Sequence, residues 1–175
     1  MPTPSPSAPA APDLPEPRRP PSGAARPRVV RSRLVHAPAP LVWSVVGNLR
    51  RHVELIPRTR MEAPDRETHV GDLIVARSAV VVVDRMVTTS VRSAGDAATD
   101  PGWGRWATFE KLGPVLLGTA HLVVRADGHH RCLVVWAEDV RFARGAPGLG
   151  ALLDLSLTLM SDLALRRLAH AVETR

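Results

Sequence analysis

Cysteine is almost missing from this chain: Cys132 stands alone among 175 residues. An intrachain disulfide framework is therefore impossible, and nothing argues for an oxidising compartment. Tyrosine does not occur, and lysine occurs once, as Lys111, so 22 of the 23 basic residues are arginine. No stretch approaches the ~18 consecutive apolar residues of a membrane span, so stable membrane insertion is not expected. The first residues also lack an apolar run of signal-peptide length. A cytoplasmic protein is the expectation. Its Ala-, Arg-, Pro- and Val-rich composition suits a GC-rich bacterial genome.

Other absences narrow the chemistry. Aromatic residues make up 3% of the chain, which leaves few platforms for stacking nucleic-acid bases. The net charge is +6, which can attract nucleic acid or anionic lipid. Acidic residues are interleaved with the arginines, however, and no basic run exceeds two, so specific nucleic-acid binding is not expected. His129 and His130 follow the turn residue Gly128, with no Cys, Asp or Glu at ligand spacing, so no metal site is expected. The segment "GAPGLG" lacks the G-x-G-x-x-G spacing and the β-α-β setting of a dinucleotide site, and no cofactor is implied. No G-x-S-x-G nucleophile elbow is present. Nothing in the sequence sets an oligomeric state.

What is present divides in two. Residues 1–28 hold ten of the seventeen prolines and almost no large apolar residue. Such a segment cannot bury enough surface to offset its ordering entropy, and it reads as a disordered, partly polyproline-II tail. Residues 29–175 read as one domain. "RVVRSRLVH" is β-branched and alternating, as a strand is. "APAPLVWSVVGN" follows. Pro40 sits where a first-turn proline is welcome, and Gly47-Asn48 is a natural stop. "LRRHVELIP" reads as a second short helix, ended by Pro57.

The middle is strand-rich. Residues 72–78 and 80–92 read as two strands, and a short strand around 60–63 completes that set. "GRWATFEKLGPVLLGTAHLVVRADGHHRCLVVWAEDVRFA" reads as three more, broken at Gly113-Pro114 and at the hairpin signature Asp127-Gly128. The chain ends in an amphipathic helix of about 25 residues, longer than the usual ~12. Leu149, Leu152, Leu153, Leu159, Met160, Leu163 and Ala164 share one face of its wheel, with Asp154, Thr158, Ser161 and Asp162 opposite. Strands joined by tight turns are antiparallel. A sheet of six to seven strands needs its apolar face covered, and the long helix is the available cover. The fold class is α+β.

That order of elements resembles the START-like, helix-grip superfamily (SRPBCC, polyketide cyclase/dehydrase-like). The likeness rests on Leu34-Val35, Ala37-Pro38, Val42-Trp43 and Pro57, on "CLVVWAEDV" around Trp136, and on the terminal helix. One departure is Asn48, where the family commonly has Asp. The resemblance implies a strongly curved sheet, with the two short helices closing one end and Trp43 packed in their seam. It also implies an apolar cavity between sheet and long helix that takes a small hydrophobic ligand such as a lipid or polyketide. Some members catalyse cyclisation or dehydration there. No catalytic set is shared across the superfamily, so none is carried over.

Candidate residues come from alternation. Along Arg131–Phe142, Cys132, Val134, Trp136, Glu138, Val140 and Phe142 share the inward face. Trp136, Glu138 and Val134, with Leu153 and Met160 of the helix, are the expected ligand contacts. A carboxylate among apolar residues has its charged form disfavoured, which is how a general acid or base is made. Glu138 is therefore the first catalytic candidate, unless it merely pairs with an arginine such as Arg77 or Arg85. His121 is the second, although alternation with Thr119, Val123 and Arg125 points it outward. Cys132 reads as a small apolar residue. Three functions follow: a binder of a small hydrophobic ligand, a polyketide cyclase/aromatase-type enzyme using a cavity carboxylate, or a macromolecular interaction module using the basic tail and surface.

Overall fold

The computed structural model describes residues 28–78, 82–92, 104–144 and 148–174. The Pro-rich tail lies outside the described residues. Strand β1 (Val29–Val35) leads into helix α1 (Ala39–Val46), then a 3-10 turn (Leu49–Arg51) that runs into the single-turn helix α2 (His52–Leu55). Six strands follow: β2 (Thr59–Glu62), β3 (Leu73–Ser78), β4 (Val82–Arg92), β5 (Arg105–Pro114), β6 (Leu116–Ala126) and β7 (Cys132–Phe142). Helix α3 (Gly150–Glu173) closes the order. The seven strands form one antiparallel sheet in the order β1-β7-β6-β5-β4-β3-β2. This is the helix-grip arrangement of a curled sheet around a long helix.

The opening helices owe their shape to local chemistry. Pro38 caps α1 in extended conformation, and Pro40 lies in its first turn, where a missing N–H costs nothing. Asn48 caps the following turn, its Oδ1 accepting from the Arg50 N–H at 3.1 Å, while its Nδ2 donates to Asp65 at 3.0 Å. Asn48 is thus a structural clasp between α1, α2 and the loop after β2. Trp43 is fully buried, and its Nε1 donates to Glu67 at 3.0 Å. Glu67 is held over α1 by the Thr68 N–H, which donates to the Gly47 carbonyl at 2.9 Å. Thr68 and Thr88 of β4 share a buried hydroxyl bond of 2.7 Å.

The face of α3 differs from the expected one. The buried residues are Leu153, Leu157, Ser161, Ala164, Leu165, Leu168, Ala169 and Val172. Leu152, Leu159 and Leu163 are exposed, at 59%, 62% and 39%. Ser161, placed on the polar side by its hydroxyl, is fully buried, and its Oγ donates to the Leu157 carbonyl at 2.7 Å. Leucines point in almost every direction from the first half of the helix, so hydrophobicity alone does not fix its rotation. The small residues Ser161, Ala164 and Ala169 fix it, because they allow close approach to the core. No helix among the described residues is long and apolar enough to cross a membrane.

Candidate functional site

The concave face of the sheet, α2 and α3 enclose a cavity of about 390 Å³. Phe109, Leu122, Met86, Trp136, Leu157 and Met160 give it an apolar wall. The exposed lining residues Arg58, Ser78 and Ser156 mark its mouth. Strand alternation also carries three charged side chains inward: Asp84 from β4, Lys111 from β5 and Glu138 from β7.

Lys111, the only lysine of the chain, is 6% exposed and sits between the two carboxylates. Its Nζ lies 2.5 Å from Asp84 Oδ2 and 3.7 Å from Glu138 Oε2, the second an ion pair without a hydrogen bond. Reaching Glu138 means crossing β6, which lies between β5 and β7. Gly118 pairs with Lys111 on one side and Val140 on the other, and Ala120 pairs with Glu138. A side chain at Gly118 is not tolerated: its φ is +128°, and a Cβ would lie 2.0 Å from the Asp139 carbonyl oxygen. A glycine and an alanine thus leave the floor open beneath the lysine stem. Lys111 pairs with Met86, two residues from Asp84 on the same strand face, so alternation brings Asp84 and Lys111 together on the inward side.

Burial pulls the Lys111 pKa down, but the charges of Glu138 and Asp84 outweigh it, and the net shift is upward. The ammonium is therefore held protonated and is no free amine nucleophile. Glu138 is 2% exposed; its Oε1 accepts from Trp136 Nε1 at 3.0 Å, two residues back on the same strand face. Asp84 Oδ1 and Glu138 Oε2 are buried without a hydrogen-bond partner.

His52 of α2 completes the polar set. Its ring lies 5.4 Å from that of Trp136, and its Nε2 is 2.8 Å from the Val46 carbonyl oxygen. A carbonyl only accepts, so the Nε2 carries the proton. Burial lowers the His52 pKa from 6.5 to about 4, partly opposed by the Val46 bond. A base whose folded pKa is depressed stabilises the fold above its ordinary value, and that stability is lost as pH falls toward the folded value. Acidification from about pH 6.5 to about 4 is thus expected to cost roughly 3 kcal/mol through this one residue. Urea unfolding of the parent and of His52→Gln at both ends of that window checks it. The variant should lose less stability on acidification; equal losses would remove His52 from the account.

Of the expected contacts, Trp136, Glu138, Leu153 and Met160 line the cavity. Val134 faces inward but is fully buried in the apolar core and does not line it. His121 is not in the cavity. Its neighbours Ala120 and Leu122 are, so its ring points to the opposite face of the sheet, where Nδ1 meets Thr108 Oγ1 at 3.1 Å. Glu138 does not pair with Arg77 or Arg85: Arg77 bonds Glu62 at 2.9 Å on the surface, and Arg85 is exposed. The partner is Lys111. Burial pushes the Cys132 thiol up to about 11, so it is no thiolate at neutral pH. His129 and His130 are exposed, and no group of three potential metal ligands occurs among the described residues.

Sequence reasoning missed Lys111, Asp84 and His52. One signal was available: a single lysine in an arginine-rich chain, two residues from Phe109 and so on its strand face.

No family model matches the chain, and no curated protein matches it. Solved structures do match. The Zhui aromatase/cyclase of a Streptomyces species is 17% identical, with a TM-score of 0.63 over 84% of this chain and 93% of that one. A START superfamily protein from Mycobacterium smegmatis is 12% identical, with a TM-score of 0.61 over 83% and 97%. The di-domain ARO/CYC BexL is 17% identical, with a TM-score of 0.61; this chain covers 46% of its length. These likenesses establish the START-like, helix-grip fold.

Proposed function

We propose that the chain binds a small, largely apolar molecule in its cavity and reads the polar end of that molecule with Lys111, Asp84 and Glu138. The observation that carries this reading is the 390 Å³ cavity itself, walled by apolar side chains with one buried charged cluster. Its size falls in the usual range of about 300–1,000 Å³ for ligand pockets, and a few placed polar groups in an apolar wall are what orients a ligand. A cytoplasmic setting belongs to the same reading and rests on the lone, buried Cys132.

Native mass spectrometry of the protein from its own host tests it through co-purified molecules. Tryptophan emission provides the site-specific check. A ligand seated in the cavity is expected to shift or quench the emission of Trp136, and Trp136→Phe should remove most of that change. An undiminished signal in Trp136→Phe would place the ligand elsewhere.

A second reading is proton transfer on a polyketide-like molecule; two structural neighbours are an aromatase/cyclase and a di-domain ARO/CYC. The feature that favours it is a carboxylate, Glu138, buried beside an ammonium and within reach of the cavity. Turnover of the co-purified molecule by Glu138→Gln separates the two. A general acid or base is worth about 10²–10⁴ in rate, and a carrier has no rate to lose.

A further inference from the structure

The charges in the cavity do not balance, and the imbalance specifies a head group; this rests on the reading that the cavity holds a small molecule. Lys111 supplies one ammonium, whereas Asp84 and Glu138 supply two carboxyl groups. The ammonium lies against Asp84 Oδ2 at 2.5 Å. Glu138 Oε1 is taken by the Trp136 indole N–H. Asp84 Oδ1 and Glu138 Oε2 remain as acceptors with nothing to accept from.

The other cavity groups do not supply the missing donor. His52 spends its one N–H on the Val46 carbonyl. Arg58 lines the mouth and is exposed, so water screens its charge. The buried part of the cavity therefore has a surplus of acceptors and of negative charge. A buried acceptor without a donor is a standing cost, and a ligand that supplies the donor removes it.

We infer that the cavity takes a molecule with an apolar body and a protonated amine at its inner end, complementary to Glu138 and Asp84. Three N–H donors and one positive charge match two free oxygens and one uncompensated carboxyl group. A hydroxyl head supplies one donor and no charge. A carboxylate head brings further acceptors to acceptors and is repelled.

The test uses n-octylamine, n-octanol and n-octanoate, which share an apolar body, titrated into the full chain at neutral pH by calorimetry. The amine is expected to bind about ten- to a hundredfold tighter than octanoate, the usual worth of a charge-assisted hydrogen bond, with octanol between them. Glu138→Gln should shrink the amine-over-octanoate ratio about tenfold. Asp84→Asn gives the same reading should Glu138→Gln fail to fold. Octanoate binding as tightly as the amine, octanol binding tighter than it, or a ratio untouched by both variants overturns the inference. If all three probes bind alike, the cavity still holds ligand and only the head-group inference falls. If none binds, the cavity reading falls as well.

Discussion

Lys111→Met is expected to lower the unfolding free energy by about 3–5 kcal/mol, the usual cost of leaving a buried charge without its partner. Methionine keeps the length of the stem, so packing above Gly118 and Ala120 changes little and the loss reports on charge. The double variant Lys111→Met/Glu138→Gln should recover part of it, because removing both members of a buried pair leaves less uncompensated charge than removing one. Equal stability of the double and single variants would show that Glu138 is not the residue Lys111 serves. Alkaline titration gives an independent check. The folded pKa of Lys111 is raised, so its contribution is complete below the ordinary lysine value and is lost as pH rises through the folded one. The absence of tyrosine clears this range of phenol titrations. The buried Cys132 thiol, pushed up to about 11, also loses stability there, so the signal is the difference between parent and variant. Denaturant midpoints measured from neutral pH to about pH 11 should fall less steeply in Lys111→Met.

The contrast between Lys111 and Trp43 shows what the chain reveals before it folds. The order of elements was legible because each has a local cause: Pro38 and Pro40 start α1, Pro57 ends the α2 segment, and Asp127-Gly128 turns β6 into β7. The inward face of β7 was legible from alternation, and that placed Trp136 and Glu138 at the cavity. The cluster was not legible, because its members come from β4, β5 and β7, and their meeting depends on register. The pairing of Met86 with Lys111, and the gap left by Gly118, are set across strands and by no local pattern. The rotation of α3 was hidden for another reason. A serine whose hydroxyl bonds its own helix backbone behaves in the core as a small residue, and composition scores it as polar.

Trp43→Ala is expected to cost about 3–5 kcal/mol, the range for truncating a fully buried large aromatic. The reason goes beyond volume. Trp43 packs against its own helix end: a Cβ added at Gly47 would come within 2.7 Å of the Trp43 Cε2 atom. The φ of Gly47, near −76°, suits any residue, so the demand for glycine is steric: the added Cβ would also lie 2.9 Å from the Trp43 carbonyl oxygen. The indole N–H then holds Glu67, and through that loop the turn that carries His52 toward the cavity. Gly47→Ala should therefore be destabilising by about 1–3 kcal/mol in the parent, as overpacking is, and less so in a Trp43→Ala background, where only the clash with the residue 43 carbonyl remains. Urea unfolding of the four proteins in this cycle measures the coupling. Trp43→Phe should fall between, keeping ring bulk and losing the Glu67 bond. Because Trp43 does not line the cavity, Trp43→Phe should leave the affinity for any cavity ligand within a few-fold of the parent. If the Gly47 and Trp43 losses simply add, the seam is not held as described, and α2 must be positioned by its contacts with α3 instead.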